Sequence, residues 1–201
     1  MVSKGKRRRG GVMGMSQIPY AQRLQIQRKQ RIVGSREQAA RVSMYCFSVA
    51  LHDLEGIGYE RLIRFNEAFQ ALDDQFHGQE IEVSMEHARR RLADMGIEIS
   101  GEVMTAPPEE GRSARDMEVQ NHVVQAVQAA IICGCIAAND VFGFAKVRLE
   151  RIRQRTEELT ARYAKEGEGF LLDEMAKIGF RIVDGHAVGF VKDGRAVRVK
   201  E

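Results

Sequence analysis

His52–Phe65 reads HDLEGIGYERLIRF and Asn139–Ile152 reads NDVFGFAKVRLERI, so one pattern occurs twice, at an offset of 87 residues (139 − 52). Both stretches share an aspartate, a glycine and an Arg-Leu pair: Asp53 and Asp140, Gly56 and Gly143, Arg61 and Arg148, Leu62 and Leu149. Downstream the match resumes at an offset of 83, where Leu92, Gly96 and Ile99 correspond to Met175, Gly179 and Ile182. The sequence therefore predicts an internal duplication.

The same local plan is predicted for each copy. Apolar residues recur at steps of three and four over 36–53 and 59–76, and again over 116–139, which is typical of amphipathic helices. Gly56 and Gly143 separate the first helix of each copy from a second one, with which it is expected to form an antiparallel hairpin. A short third helix and a strand follow. We therefore predict a mainly α fold with minor α+β character, built from two tandem repeats of a helical hairpin plus a short helix and strand.

This pattern divides the chain into a basic amino-terminal arm (1–34), a first repeat (35–105), a linker (106–115) and a second repeat with a carboxyl-terminal β-hairpin (116–201). A domain of about 80 residues has a marginal core. We therefore expect the repeats to pack against each other about a pseudo-two-fold axis. Turn signals at 184–185 and 193–194 predict a small three-stranded β-meander at the carboxyl end.

The composition is that of a water-soluble globular protein. Of its 201 residues, 44% are hydrophobic and 29% are charged. No run of about 18 apolar residues occurs, and the amino terminus lacks the apolar stretch of a secretory signal. The three cysteines, Cys46, Cys133 and Cys135, lie in apolar helical stretches and are expected to be reduced and buried. We expect a cytoplasmic location in a bacterial host cell and no membrane contact.

Charge is strongly segregated along the chain. Residues 1–32 contain no Asp or Glu and nine cations, so the net charge of +3 leaves −6 for residues 33–201 (3 − 9). Such segregation is typical of a segment that contacts phosphate or an acidic partner. The alternatives are a solvated tail, or a true start at Met13 or Met15. The candidate nucleic-acid-binding residues of this arm are Lys4, Lys6, Arg7, Arg8, Arg9, Arg23, Arg28, Lys29 and Arg31.

A second group of candidates lies in the first repeat. The turn at 54–62 resembles that of the helix-hairpin-helix DNA-binding family, and the resemblance implies that backbone N–H groups around Gly56 and Gly58 bind a phosphate. In the second copy Ala145 replaces the second glycine. The alternative is a plain helix-to-helix turn. Arg89, Arg90 and Arg91 are either a solvated helix face or part of one surface with the basic arm.

The repeated aspartates and arginines have two interpretations. Asp53 and Asp140 each lie near a helix end, where the helix dipole disfavours a carboxylate. A structural role would have each aspartate cap the following helix or pair across the turn with Arg61 or Arg148. A functional role would place all four side chains around one symmetric cleft.

No signature of an enzyme is present. The histidines and cysteines lack metal-ligand spacing, and no phosphate-binding loop or nucleophile motif occurs. We expect no catalytic residue, no metal and no cofactor. The glycine turn before Arg-Leu, at 56–65 and 143–152, resembles uncharacterised accessory proteins of phages and prophages in Gram-positive bacteria. The sequence favours a non-enzymatic accessory protein of a phage or mobile element that binds DNA, RNA or a ribonucleoprotein through its arm. The alternatives are an anti-CRISPR-like inhibitor of a host defence protein and a structural oligomer such as a homodimer.

Overall fold

A computed structural model describes residues 19–77, 81–97, 113–183, 186–188, 191–192 and 195–196. These residues form a mainly helical protein, as predicted, with short strands at the carboxyl end. The helices are α1 (Tyr20–Glu55), α2 (Tyr59–His77), α3 (Ile81–Asp94), α4 (Ala114–Phe142), α5 (Lys146–Glu166) and α6 (Glu168–Lys177). The strands are β1 (Arg181–Val183), β2 (His186–Val188), β3 (Val191–Lys192) and β4 (Arg195–Ala196).

A pair of long parallel helices, α1 and α4, forms the centre of the molecule. Their contacts advance together along both helices, from Arg31 beside Asp116 to Phe47 against Gly134. Apolar and small residues cover almost every side of α1 over 42–51 and of α4 over 130–138, where both helices are buried. The core therefore surrounds the carboxyl-terminal halves of these two helices.

The second helix of each predicted repeat packs mainly on the first helix of the other repeat. α5 lies along α1, and α2 lies along α4, whereas α1 contacts α2 much less. The prediction that the second helix of each pair packs mainly against the first is therefore wrong, whereas the expected packing of the two halves against each other is observed. The apolar residues that recur along α2 at steps of three and four are nevertheless buried, as their spacing indicated: Leu62, Phe65, Phe69 and Leu72. Phe65 stacks on Phe47 of α1 with ring centroids 5.3 Å apart.

The two predicted glycine turns have the left-handed backbone that favours glycine. Gly56 (φ 62°) ends α1 and Gly143 (φ 67°) ends α4, and each N–H donates to the carbonyl four residues earlier, at 2.9 and 2.7 Å. The residue after each glycine, Ile57 or Phe144, is buried. Each turn is therefore anchored to the core by an apolar side chain.

α3 and α6 are each followed by one of the two glycines that match at an offset of 83. Gly96 (φ 74°) and Gly179 (φ 88°) take left-handed conformations after these helices. The next residue closes the helix end in both cases: Ile97 N–H donates to the Leu92 carbonyl and Phe180 N–H to the Met175 carbonyl, each at 2.9 Å. The strand expected after Gly96 lies outside the described residues.

The short strands form two antiparallel pairs. β1 pairs with β2, so that Arg181 lies opposite Val188, and β3 pairs with β4, so that Val191 lies opposite Ala196. Within the described residues the order is two separate two-stranded sheets, so the single three-stranded meander is not confirmed.

Candidate nucleic-acid interface

The described part of the basic arm, residues 20–34, is the first half of helix α1. The helix continues through Gly34 into the buried half without a break, so the predicted boundary at 34–35 falls inside one helix. No residue of 19–41 is buried. From Tyr20 to Arg36 the helix carries five cations and no carboxylate: Arg23, Arg28, Lys29, Arg31 and Arg36. The first half of α1 is therefore a helical surface without carboxylates, on which Arg28, Lys29 and Arg31 are exposed and Arg23 and Arg36 are half-buried.

Two ion pairs attach this surface to the start of α4. Arg28 pairs with Glu118, and Arg31 Nη2 lies 3.0 Å from Asp116 Oδ1. Asp116 also belongs to the helix cap: its N–H donates to Ser113 Oγ at 3.2 Å, and Ser113 Oγ donates to Asp116 Oδ2 at 2.8 Å. The basic half of α1 is thereby held beside α4, although the two pairs neutralise part of its charge.

The remaining arginine candidates lie elsewhere. Arg91 Nη2 donates to Asp140 Oδ1 at 2.8 Å, and Arg90 Nε donates to Glu86 Oε1 at 3.0 Å. Asp140 and Glu118 are 22 residues apart on α4 (140 − 118), which corresponds to about 33 Å along a helix. Arg89, Arg90 and Arg91 on α3 therefore do not share one surface with the described cations of α1. Lys4, Lys6, Arg7, Arg8 and Arg9 lie outside the described residues.

The turn that resembles a helix-hairpin-helix uses its amides internally. Gly56 N–H donates to the His52 carbonyl at 2.9 Å, and Ile57 N–H donates to the Leu51 carbonyl at 3.4 Å. Gly58 is exposed, and its carbonyl accepts the first hydrogen bonds of α2. Two of the N–H groups that the resemblance assigns to phosphate are therefore already bonded within the protein.

The repeated aspartates pair with arginines other than those predicted. Arg155 Nη2 lies 2.9 Å from Asp53 Oδ2, and Arg91 bonds both oxygens of Asp140. The pairing of Asp53 with Arg61 and of Asp140 with Arg148 is therefore wrong. Asp140 does not cap α5, since Ala145 precedes that helix without a side-chain cap.

The repeated arginines stack on aromatic rings instead. The Arg61 guanidinium carbon lies 5.0 Å from the Phe142 ring centroid, and that of Arg148 lies 5.3 Å from the Phe144 centroid. Arg148 Nε also lies 3.7 Å from Glu55 Oε2. Each of the four charged groups therefore has a contact partner outside the set of four.

Sequence reasoning missed a pair of side chains that fasten the two turns. His52 Nδ1 lies 3.1 Å from the Ile57 carbonyl oxygen, and Asn139 Nδ2 donates to the Phe144 carbonyl at 2.9 Å. His52 and Asn139 are the first residues of the two matching stretches. The two positions align in sequence, but because one is a histidine and the other an asparagine, the alignment did not suggest that their side chains make the same hydrogen bond.

The three cysteines are free and buried, as expected. Desolvation raises the pKa of the Cys46 thiol to about 11 and the pKa of each of Cys133 and Cys135 to about 12. Thiols of this kind stay protonated and unreactive at neutral pH. In the described part of the chain, no three His, Cys, Asp or Glu side chains are grouped closely enough to hold a metal ion.

α4 is the one helix in the described ranges that is long and apolar enough to cross a bilayer, and 61% of its apolar window is buried inside the protein. A buried core helix passes the same test. Comparison with known proteins found no matching family model, no matching curated protein and no matching solved structure.

Proposed function

We propose that this chain is a non-enzymatic accessory protein of a phage or mobile element, and that it binds nucleic acid in the bacterial cytoplasm through the basic first half of α1. One observation supports this most directly. The cations of 20–36 lie on an exposed helix that contains no carboxylate and is fixed to the body through α4.

The charge of this helix favours a polyanion over a single acidic group. A helix of 17 residues is about 25 Å long, and it carries a cation about every 5 Å. Duplex DNA carries one negative charge per about 1.7 Å of its axis, and basic side chains that neutralise phosphates release condensed counterions. An extended row of cations therefore suits a nucleic acid backbone.

The body that carries α1 is proposed to be a duplicated unit with a pseudo-two-fold axis between α1 and α4. Phe47 and Gly134 are separated by the repeat offset of 87 (134 − 47), and they contact each other in the core. Such self-contact is expected of equivalent positions at an axis. The packing of α2 on α4 and of α5 on α1 also fits an exchange between two copies.

Further contacts support this symmetry. At the offset of 87, Arg61 corresponds to Arg148, and Glu55 corresponds to Phe142. Arg61 lies over the Phe142 ring, and Arg148 lies beside Glu55, so the two contacts join equivalent positions. The exchange gives both halves one shared core, since neither half could bury its helices by itself. In this proposal the duplicated body is a scaffold, and the unmatched basic helix performs the binding.

A gel-shift experiment tests the proposal. The full chain is mixed at low salt with labelled DNA and RNA, and it is compared with two full-length variants. In one, Lys4, Lys6, Arg7, Arg8 and Arg9 are replaced by Gln. In the other, the cations of α1 are replaced by Gln: Arg23, Arg28, Lys29 and Arg31. Both variants are expected to bind more weakly than the wild type, because each removes phosphate contacts.

A matched control replaces four exposed cations of the body by Gln: Arg64, Arg151, Lys165 and Lys177. Equal losses in the α1 variant and in this control would show that binding follows total charge and not α1. No shift of any nucleic acid by the wild-type protein would contradict the proposal and would favour a protein partner instead.

A further inference from the structure

The first half of α1 carries uncharged polar side chains as well as cations. Between Ala21 and Arg36 the helix contains four glutamines interspersed among the cations, and all four are exposed: Gln22, Gln25, Gln27 and Gln30. Arginine and glutamine are the side chains that bond guanine and adenine edges in a bidentate manner. A helix that served only as a solvated tail would not need this combination.

Two faces of this helix have different roles. Leu24, Arg28 and Arg31 recur at steps of four and three on the side that lies against α4, where Arg28 and Arg31 form their ion pairs. A second set with the same spacing lies two residues before the first set in the chain, at Gln22, Ile26 and Lys29. That offset places them about 200° around the helix, on the opposite side. On this side Gln22 and Lys29 are exposed and Ile26 is half-buried, and Gln30, about 80° around the helix from Gln22, is exposed as well.

We infer that the first half of α1 enters the major groove of B-form duplex DNA and presents the face with Gln22, Lys29 and Gln30 to it. This inference rests on the proposed function and narrows its substrate class. The major groove of B-DNA is about 12 Å wide and admits one α-helix. Arg28 and Arg31 pair with α4 on one side of the helix, and within the described residues Gln22, Lys29 and Gln30 are exposed, so these three can face the duplex.

Other nucleic acids fit this surface less well. The major groove of A-form RNA is deep and too narrow for side chains to read. Binding of single strands relies on several aromatic side chains that stack on bases, and Tyr20, which is 70% exposed, is the one aromatic residue of α1 between Tyr20 and Arg41. Duplex DNA is the nucleic acid that a rigid Gln- and Arg-rich helix matches.

The first test measures binding of the full chain to three fluorescent probes of one mixed sequence: a DNA duplex, an RNA duplex and a single DNA strand. The duplex DNA is expected to bind at least about tenfold more tightly than either of the others at equal salt. Methyl green, which occupies the major groove, should compete, and netropsin, which occupies the minor groove, should not. Equal affinity for the RNA duplex, or competition by netropsin alone, would overturn the inference and leave the proposed function standing. Failure to bind all three probes would refute the proposed function itself.

The second test concerns the glutamines. The double variant Gln22→Ala, Gln30→Ala should lower affinity for the DNA duplex about tenfold, without changing the dependence of affinity on salt, because uncharged side chains release no counterions. Gln154→Ala, an exposed glutamine of α5, is the matched control and should bind like the wild type. Circular dichroism verifies that the helices persist. Equal affinities for the double variant and the control would overturn the inference.

Discussion

Replacing Gly134 by alanine tests the contact between α1 and α4 at the centre of the fold. A Cβ on Gly134 would lie 2.6 Å from Cδ2 and 2.7 Å from Cε2 of Phe47. The ring has little room to move, because Phe47 is completely buried and is stacked on Phe65 with an interplanar angle of 12°. The added methyl group therefore forces either the ring or the helix backbone to shift.

The expected change in the free energy of unfolding of Gly134→Ala is the balance of two opposing effects. Alanine in place of glycine inside a helix stabilises the folded state by about 1 kcal/mol, whereas overpacking a buried site costs about 1–3 kcal/mol. Gly34 in α1 provides the control, since a Cβ there meets nothing within 4 Å. Gly34→Ala should therefore raise the free energy of unfolding by up to about 1 kcal/mol, and Gly134→Ala should be less stable than Gly34→Ala by about 1–3 kcal/mol.

Urea and thermal unfolding of the two variants measure this difference. For a chain of this length, each kcal/mol corresponds to about 2–4 °C in melting temperature. Combining Gly134→Ala with Phe47→Leu should cost less than the sum of the two single changes, because the smaller side chain leaves space for the methyl group. Equal stability of Gly34→Ala and Gly134→Ala would refute close packing of Phe47 on Gly134.

Three further outcomes are expected. The buried cysteines should react with a thiol reagent at pH 8 only after denaturation. The free energy of unfolding should also fall as the pH rises above 9, because thiols of the unfolded chain ionise near pH 9.0, whereas the pKa of Cys46 in the folded protein is about 11. Urea unfolding of His52→Asn should match the wild type, because Asn139 makes the equivalent bond, whereas His52→Ala should lose about 1 kcal/mol. In the same assay Arg155→Ala should cost less than about 1 kcal/mol, since its pair with Asp53 is only about two-thirds buried.

Local features of the fold were predictable because they depend on nearby residues. The apolar spacing of 59–76 anticipated α2 to within one residue at its end, and Gly56, Gly143, Gly96 and Gly179 marked helix ends correctly. The first helix was predicted too short, at 36–53. Leu24, Ile26 and Ile32 among the basic residues before Gly34 are compatible with a basic helix, but no local signal shows that it continues into 36–53 as one helix paired with α4.

The partners of helices and charges were harder to predict. The apolar stripe of α2 looks the same whether it packs on α1 or on α4, so the packing of α2 on α4 left no local signal in the sequence. The same holds for Asp53, whose partner Arg155 is 102 residues away, while Arg61 was a nearer candidate in sequence. Long-range contacts of this kind depend on the assembled core, which periodicity alone does not specify.

The salt dependence of DNA binding, measured by fluorescence anisotropy on a labelled duplex, tests directly whether the cations of α1 contact phosphates. For the wild-type chain, the logarithm of the binding constant should fall linearly with the logarithm of salt concentration. Replacing Arg23 and Lys29 by Gln, which keeps the pairs of Arg28 and Arg31 with α4, should make that slope shallower by about 1.8, since each lost phosphate contact contributes about 0.9. An unchanged slope, with the helices intact by circular dichroism, would contradict the role assigned to α1.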